Sequence, residues 1–435
     1  MFHFIGIQIK MNNKTLVISK PRSIVKDGWY RLAATIDVEN GEPLPDIQKE
    51  IWFALPEEYA EEFVFPDCSD CFLLGLLYFA MRFGYDICIK GEVSEKFLNN
   101  LKNEAMPLIS AYYKYLNPVD IIVTNTTDFP EGKYVGTGFS AGVDSFYTIF
   151  SNLNENKKDN LTHLFFFNVG THGLGRSFKE LEHVHEKFIK RYNSFLVSAK
   201  MIELPFIPID SNVHSFLPDN ISAAITTSNS SVIHFLRKGI GQYFLSSGGY
   251  NYEELFKHLK NVQFEKNLEM DDIELMLCQW LGDKTLNIVP YGASATRLMK
   301  TQFIMNYPAA QQCLNVCNSI KTMEKNCSVC IKCRRTMMDL ELLGKLDDFR
   351  SVFDVDLYRR KFKSRDYAEM MYPSPGYEYP FLDDARHYAI EHKIDIKSQI
   401  KTMDLVCAYL HQTWLYILLK KMNVLRIVKR LFGRN

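Results

Sequence analysis

A short turn rich in small residues, at 140–145, is the feature that most constrains the fold of this chain. It follows a strand-like run at 134–139 and precedes a helix-like run at 146–150. The start of a helix presents backbone N–H groups that have no partner within the helix, and it carries the positive end of the helix dipole. A strand, a tight turn and a helix start therefore predict a site that binds phosphate groups.

The residue types in the turn agree with this prediction. Gly142 lets the backbone approach an anion closely. The hydroxyls of Ser140 and Ser145 can donate hydrogen bonds, and the carboxylate of Asp144 can hold a cation or a polarised water. No lysine follows the glycine, so the turn is not a GxxxxGKS/T phosphate loop. The alternative is an ordinary strand–turn–helix connection in which a serine caps the helix.

Five cysteines cluster downstream of the turn, and three of them form a CxxCxxC motif: Cys327, Cys330 and Cys333. Two-residue spacers allow neighbouring thiolates to bind one metal ion, and a fourth ligand completes a tetrahedron. We expect Cys317 to be this ligand, because Cys313 lies a turn further away. Zinc is favoured by the four-thiolate count and by three basic neighbours that offset the negative charge, namely Lys332, Arg334 and Arg335. Iron–sulfur ligation and free buried thiols are the alternatives.

The turn resembles the SGGxDS signature of the PP-loop ATP pyrophosphatases, in the form Ser140-Ala141-Gly142-Val143-Asp144-Ser145. Ala141 stands where the second glycine of the signature usually is, and its methyl group is tolerable there if the residue keeps a negative φ. Combined with the later cysteine knuckle, the turn resembles the 7-cyano-7-deazaguanine synthases, the PP-loop enzymes of the queuosine pathway, and their divergent relatives.

Four further segments resemble that family. The run 164–169 resembles its second strand, and 207–210 resembles its third strand with a terminal acid. The run 228–248 resembles its next helix and strand, and 291–297 resembles its substrate loop with a tyrosine and an arginine. Small residues replace the family's aspartate and cysteine in this last segment. The resemblance therefore concerns ATP and zinc, and it leaves the substrate open.

The resemblance implies an ATP-dependent ligase or synthase that uses Mg²⁺ and a structural Zn²⁺. It implies that the pyrophosphate part of ATP lies on Ser140, Ala141, Gly142, Val143, Asp144 and Ser145. The backbone at Val169 would contact adenine. Asp144 and Arg297 would be the catalytic residues, with Lys300 a weaker candidate, and Cys317, Cys327, Cys330 and Cys333 would bind zinc. A carboxylate or amide oxygen of the substrate would attack the α-phosphorus, and a nitrogen nucleophile would then displace AMP.

Alternating strands and helices over 131–345 predict an α/β domain with a parallel sheet, whose ligands bind at the carboxyl ends of the strands. We expect this PP-loop domain, similar to the adenine nucleotide alpha hydrolases, to be flanked by two regions. Residues 1–130 predict an α+β accessory domain, with a buried helix at 72–81 and a strand at 86–89. Residues 346–435 predict a helical region that ends in a basic amphipathic tail.

Composition agrees with a soluble globular enzyme. The chain has 435 residues, 47% of them hydrophobic, with 51 basic and 51 acidic residues. This charge balance disfavours a dedicated nucleic-acid binder. We expect no signal segment and no transmembrane segment, and the cysteine usage favours a reducing cytoplasm. The oligomeric state is left open.

Four functions remain open. The first is an enzyme that acts on a small molecule, such as a purine-like carboxylate. A PP-loop enzyme that modifies a tRNA or a protein end is the second, and a non-catalytic nucleotide-binding relative is the third. A zinc-knuckle nucleic-acid binder, in which the serine-rich turn is incidental, is the fourth.

The remaining polar features have simpler interpretations. The CxxC formed by Cys68 and Cys71 predicts surface or half-buried thiols. His183 and His185 predict solvated side chains on a helix, and His172 lies in a loop at a strand end. The basic tail predicts a packed helix, with a membrane-surface or nucleic-acid contact as the alternative.

Overall fold

The computed structural model describes residues 14–154, 160–170, 184–217, 224–261, 273–317, 325–373 and 380–411. The chain divides into two compact units. The first comprises Met1–Ser140 and Thr148–Ser294, and the second comprises Ala141–Tyr147 and Ala295–Asn435. These units do not coincide with the predicted boundaries near residues 130 and 345.

The first unit contains a mixed sheet. Within the described residues its strands are β1 (Thr15–Ile18), β2 (Arg22–Lys26), β3 (Trp29–Glu39), β4 (Glu50–Pro56), β5 (Asp86–Ser94), β6 (Ile121–Thr127), β7 (Tyr134–Gly138), β8 (His163–Phe167), β9 (Phe206–Ser211), β10 (Ile240–Ser246) and β11 (Asn287–Tyr291). The order is β11-β10-β7-β8-β9-β4-β3-β1-β5-β6, and β2 pairs with β3. The protein is thus of the α/β class, as predicted.

The strands β7 to β11 are parallel, in agreement with the predicted alternation of strands and helices. From β7 the chain continues to β8 on one side, and β10 pairs with β7 on the other side. The carboxyl end of β7 is therefore the topological switch point, where open α/β sheets usually bind ligands. The turn that begins at Ser140 follows this strand end after one residue, Phe139.

The N-terminal strands extend the same sheet. β4 pairs antiparallel with β9, with Phe53 opposite Ser211 and Ala54 opposite Asp210. β3 continues the sheet antiparallel to β4, and β1 pairs parallel with β5. This pairing joins the predicted accessory region to the predicted nucleotide domain in one unit.

The helices of the first unit are α1 (Ala60–Phe63), α2 (Asp70–Phe83), α3 (Glu95–Asn100), α4 (Met106–Tyr112), most of α5 (Val143–Asn154), α6 (Val184–Ile202), α7 (Ile225–Phe235), α8 (Tyr252–Asn261) and α9 (Glu274–Leu281). The predicted buried helix is α2, which packs against α7 and is buried from Asp70 to Met81. Removing its apolar side chains from water stabilises this core by about 25 cal/mol for each Å² buried.

Burial of α2 corrects the prediction for the CxxC motif. Cys68 is 3% exposed and Cys71 is 1% exposed, so neither is a surface or half-buried thiol. Cys71 is buried because it lies within the helix that forms the core, where apolar side chains surround it. Burial raises the pKa of both thiols, which makes them unreactive.

A charged cluster lies within the core of the first unit. Arg237, which is 1% exposed, donates to Asp70 and to Asp283, the latter at 3.0 Å. The hydroxyl of Ser94 donates to Asp283 at 2.7 Å, and its backbone N–H donates to Asp70 at 2.8 Å. The paired charges and hydrogen bonds compensate for the loss of hydration.

The second unit is helical in its described part beyond residue 295. Its helices are α10 (Arg297–Ile304), α11 (Pro308–Cys313), α12 (Ile331–Leu342), α13 (Val355–Lys361), α14 (Lys363–Met371), α15 (Pro380–Glu391) and α16 (Thr402–His411). α12 packs against α10, α13, α14 and α15 and is therefore the central helix of this unit. The basic tail after His411 lies outside the described residues. A search of the described residues finds no helix with the length and hydropathy that bilayer crossing requires.

Candidate functional site

The predicted phosphate turn opens with a strained residue. Ala141 has φ = +54°, in the left-handed region, so the condition of a negative φ, under which its methyl group is tolerable, is not met. A side chain with a Cβ costs about 1–2 kcal/mol in this conformation. The carbonyl oxygen of Ala141 accepts a hydrogen bond from the N–H of Asn315 at 2.7 Å, which holds the turn in place.

Helix α5 begins at Val143, two residues after Ala141. The N–H of Phe146 donates to the carbonyl of Gly142 at 3.0 Å and starts the helical ladder. The N–H groups of Val143, Asp144 and Ser145 therefore precede the ladder, as expected for an anion-binding helix start. The hydroxyl of Ser145 is buried and donates to Gly142 at 3.0 Å, so it supports the turn.

Two cations contact the carboxylate of Asp144. Arg297 Nη1 lies 2.8 Å from one oxygen, and Lys300 Nζ lies 3.3 Å from the other. Both residues come from the first turn of α10, which begins after Thr296, whose hydroxyl oxygen accepts from the N–H of Met299. Residues three apart share one face of a helix, so both cations reach the same carboxylate.

The electrostatics favour an ionised Asp144. Burial opposes its ionisation, but Arg297, Lys300 and Lys332 outweigh burial and hold the pKa of Asp144 below its usual value. Its side chain is 20% exposed, so a ligand from solvent can reach this group. The arrangement provides two cations next to a helix start, which is a chemistry suited to phosphate oxygens.

A second carboxylate near α10 behaves differently. Asp339 on α12 is 2% exposed, and burial raises its pKa to about 8, with Asp384 adding to the increase and Arg335 and Arg297 opposing it. Asp384 on α15 accepts a hydrogen bond from the N–H of Leu298 at 3.2 Å. Helix α10, which carries two cationic side chains, thus also has acidic side chains as neighbours.

The four predicted metal ligands come together. The sulfur atoms of Cys317, Cys327, Cys330 and Cys333 all lie within 4.8 Å of one another. Two of these separations, Cys317–Cys330 and Cys327–Cys333, are 3.9 Å. A tetrahedral zinc ion with bonds of about 2.3 Å requires sulfur atoms about 3.8 Å apart. The cluster could therefore hold a zinc ion.

The geometry favours one ion over a multinuclear cluster. In a four-iron cluster each cysteine binds its own iron, which requires wider sulfur separations than those seen here. The N–H of Cys327 donates to Cys317 Sγ at 3.4 Å, and the N–H of Cys330 donates to Cys327 Sγ at 3.3 Å. Such donors stabilise thiolate ligands from the second coordination sphere.

Asn326 connects the chain segments around the four-cysteine cluster. Its amide group donates to the carbonyls of Leu314 and Val352 at 2.7 and 3.1 Å. Its oxygen accepts from the N–H of Val316 at 2.9 Å. The residue therefore joins the segment before Cys317 to the segment after α12. No signal in the sequence distinguished it from other asparagines.

The other predicted site residues lie in the first unit. Ser140 is exposed at the end of the β7 strand run, and Val169 is buried after β8. His172 and His183 lie outside the described residues. His185 is exposed, as predicted for a solvated side chain, and its ring also bonds the buried carboxylate of Asp210. Local sequence patterns could not reveal this pair, because 25 residues separate its members.

These features define an α/β protein with a large mixed sheet and a four-cysteine cluster in its second unit. Comparison with protein-family models, with curated proteins and with solved structures finds no match to this chain.

Proposed function

We propose that the protein is an ATP-dependent ligase or synthase of the PP-loop type. The turn 141–145 would receive the pyrophosphate part of ATP. An oxygen of the acceptor substrate would attack the α-phosphorus and become adenylated, and a nitrogen nucleophile would then displace AMP. The observation that carries this proposal is the convergence of Arg297 and Lys300 on Asp144 at the start of α5.

The two cations have complementary roles in this proposal. The planar guanidinium of Arg297 suits two phosphate oxygens at once, and the ammonium of Lys300 acts as a point charge. Asp144 holds both side chains at the helix start before the nucleotide arrives. When phosphate binds, the two cationic side chains can contact it without first having to become ordered.

Magnesium would bind next to Asp144 together with the phosphates and would neutralise charge on the leaving pyrophosphate. An ionised carboxylate is a suitable oxygen ligand for this ion. The low pKa of Asp144 keeps it ionised at neutral pH.

Zinc would have a structural role. Four thiolates fill a tetrahedron and leave no open position for a substrate. The cluster would instead stabilise the segment that carries Asn315, whose N–H bonds Ala141. The metal would thereby support the conformation of the phosphate turn.

The acceptor we favour is a small purine-like carboxylate, with ammonia as the nitrogen donor, on the strength of the resemblance to 7-cyano-7-deazaguanine synthases. A tRNA or a protein end is the alternative acceptor. One observation favours a non-catalytic nucleotide binder as the second candidate function. Arg297 and Lys300 already neutralise the carboxylate expected to bind Mg²⁺.

The test is incubation of the protein with α-labelled ATP, Mg²⁺ and a panel of carboxy-purines, followed by separation of the products. AMP with pyrophosphate supports the proposal, whereas ADP with phosphate contradicts it. Asp144→Ala should abolish AMP formation, while Asp356→Ala, at an exposed position of the same unit, should not. ATP binding without any AMP in the presence of purine, tRNA and protein acceptors would select the non-catalytic candidate.

A further inference from the structure

An open groove in the first unit lies beside β9, between α6 and the strands β3 and β4. It encloses about 410 Å³, a size that suits a small organic ligand. Four aromatic side chains line it: Trp29, Tyr59, Tyr192 and Phe206. Aromatic walls of this kind bind flat rings by stacking and edge contacts.

The aromatic wall is held rigidly on one side. The rings of Tyr192 and Phe206 have centroids 4.9 Å apart and are tilted by 30°. The hydroxyl of Tyr192 donates to the carbonyl of Phe206 at 2.8 Å, which fixes the position of the phenol ring. A ligand would therefore meet a surface that is ordered before it binds.

A histidine–aspartate pair provides a polar end to the groove. His185 lines the groove, and its Nδ1 is hydrogen-bonded to Asp210. Asp210 is 4% exposed and is held in turn by Asn168 Nδ2 at 2.6 Å and by the N–H of Ser211 at 2.9 Å. The His185 side chain is 55% exposed, so its other nitrogen, Nε2, is accessible on the side away from Asp210.

This arrangement fixes the chemistry that the imidazole offers. When the ring is neutral, Nδ1 carries the proton donated to Asp210, and Nε2 is an acceptor. The hydrogen bond to Asp210 raises the pKa of His185, with burial opposing it and with Arg31 and Glu186 as the other charged neighbours. Glu58 also lines the groove and is a further acceptor.

We propose that this groove binds a planar heteroaromatic ring of the nucleobase class, stacked on the aromatic wall, with an N–H of the ring edge donated to His185 Nε2. Asp210 is the positioning residue that orients the imidazole and fixes its tautomer. The proposal rests on the first unit and is independent of nucleotide binding by the turn 141–145.

The test is equilibrium binding of four nucleosides (adenosine, guanosine, cytidine and uridine) to the full-length protein by calorimetry. At least one nucleoside should bind saturably. His185→Gln and Phe206→Leu should each weaken that binding by about tenfold, the value of one hydrogen bond or one good ring contact. His392→Gln, at an exposed histidine of the second unit, is the matched control and should leave the affinity unchanged.

A pH series tests the positioning role of Asp210. Binding should be lost as the pH falls through the pKa of His185, because the protonated ring cannot accept at Nε2. Asp210→Asn removes the charge that raises this pKa, so the midpoint should move to lower pH. No saturable binding by the wild type, or binding that His185→Gln leaves unchanged in a variant that unfolds at the wild-type temperature, would overturn the proposal. So would an Asp210→Asn midpoint equal to that of the wild type.

Discussion

The N–H of Asn315 donates to the carbonyl oxygen of Ala141 over 2.7 Å, and this bond joins the phosphate turn to the segment that carries the metal ligands. Asn315 lies two residues before Cys317 and accepts a hydrogen bond from the N–H of that cysteine at 3.3 Å. One residue therefore contacts both the turn and the cluster, so we expect the turn conformation to depend on metal binding.

Cys330→Ser should remove the metal and lower both solubility and thermal stability, because three thiolates cannot complete the tetrahedron. Metal content by atomic emission measures the first effect. Amide hydrogen exchange over 141–147 should also become faster. Cys313→Ser is the matched control, since Cys313 lies outside the four-cysteine cluster. A Cys330→Ser protein with one zinc per chain would contradict the assignment, as would loss of zinc from the control.

Ala141→Gly should stabilise the protein by about 0.5–1 kcal/mol, because glycine adopts a positive φ without the clash of a Cβ. The gain is reduced by the greater freedom of glycine in the unfolded chain. Urea denaturation measures the difference. Ala310→Gly in helix α11 is the control, and it should destabilise by about 1 kcal/mol or more. Equal losses at both positions would show that Ala141 is not strained.

Asp339→Asn should stabilise the protein at neutral pH. The pKa of Asp339 is about 8 in the folded protein, against about 3.9 in an unfolded chain. Between these values the folded state binds one more proton, so wild-type stability falls as pH rises from about 4 to about 8. The variant should lack this decline and gain roughly 1–4 kcal/mol at pH 7. Denaturation curves at several pH values measure this, with the exposed Asp348→Asn as control. Parallel wild-type and Asp339→Asn profiles would contradict the prediction.

Arg237→Met should destabilise the first unit by about 3–5 kcal/mol, because two buried carboxylates lose their cation. Arg22→Met, at an exposed ion pair with Glu50, should cost less than about 1 kcal/mol. Denaturant unfolding of both variants gives the comparison. A similar small loss in both would show that the core pair contributes little.

The same cluster predicts a response to acid. Burial opposes ionisation of Asp283, but Arg237 and hydrogen bonds from Ser94 and Thr285 hold its pKa well below the usual value. A carboxyl group whose pKa is lower in the folded than in the unfolded chain stabilises the fold at pH values above its unfolded-state pKa. This stabilisation is lost as the pH falls towards the folded-state pKa. Asp283→Asn should therefore be less stable than the wild type at neutral pH. This difference in stability should disappear below about pH 4, near the pKa of an aspartate in an unfolded chain. Acid titration of the unfolding midpoint measures this, and a constant difference would contradict it.

Local patterns in the sequence predicted elements well and predicted long-range pairing poorly. The helix at 72–81 and the strands at 86–89, 164–169 and 207–210 correspond to α2, β5, β8 and β9. Their periodicity and burial are properties of short windows. The pairing of β4 with β9 joins residues about 157 positions apart, and no local pattern specifies it.

In the candidate sites, too, the sequence predicted the local features and not the long-range contacts. The four cysteines were predicted from their spacing, which local geometry constrains. Contact of Asp144 with Arg297 and Lys300 depends on how α5 and α10 pack, and spacing does not determine that. The positive φ of Ala141 was also missed, because an alanine signals no left-handed conformation.

A structure of the protein with a non-hydrolysable ATP analogue and Mg²⁺ would show where the nucleotide binds. We expect the β- and γ-phosphates on the N–H groups of the turn 141–145, with Arg297 in contact with a phosphate oxygen. A nucleotide bound elsewhere, or a turn that holds no phosphate at saturating analogue, would contradict this expectation.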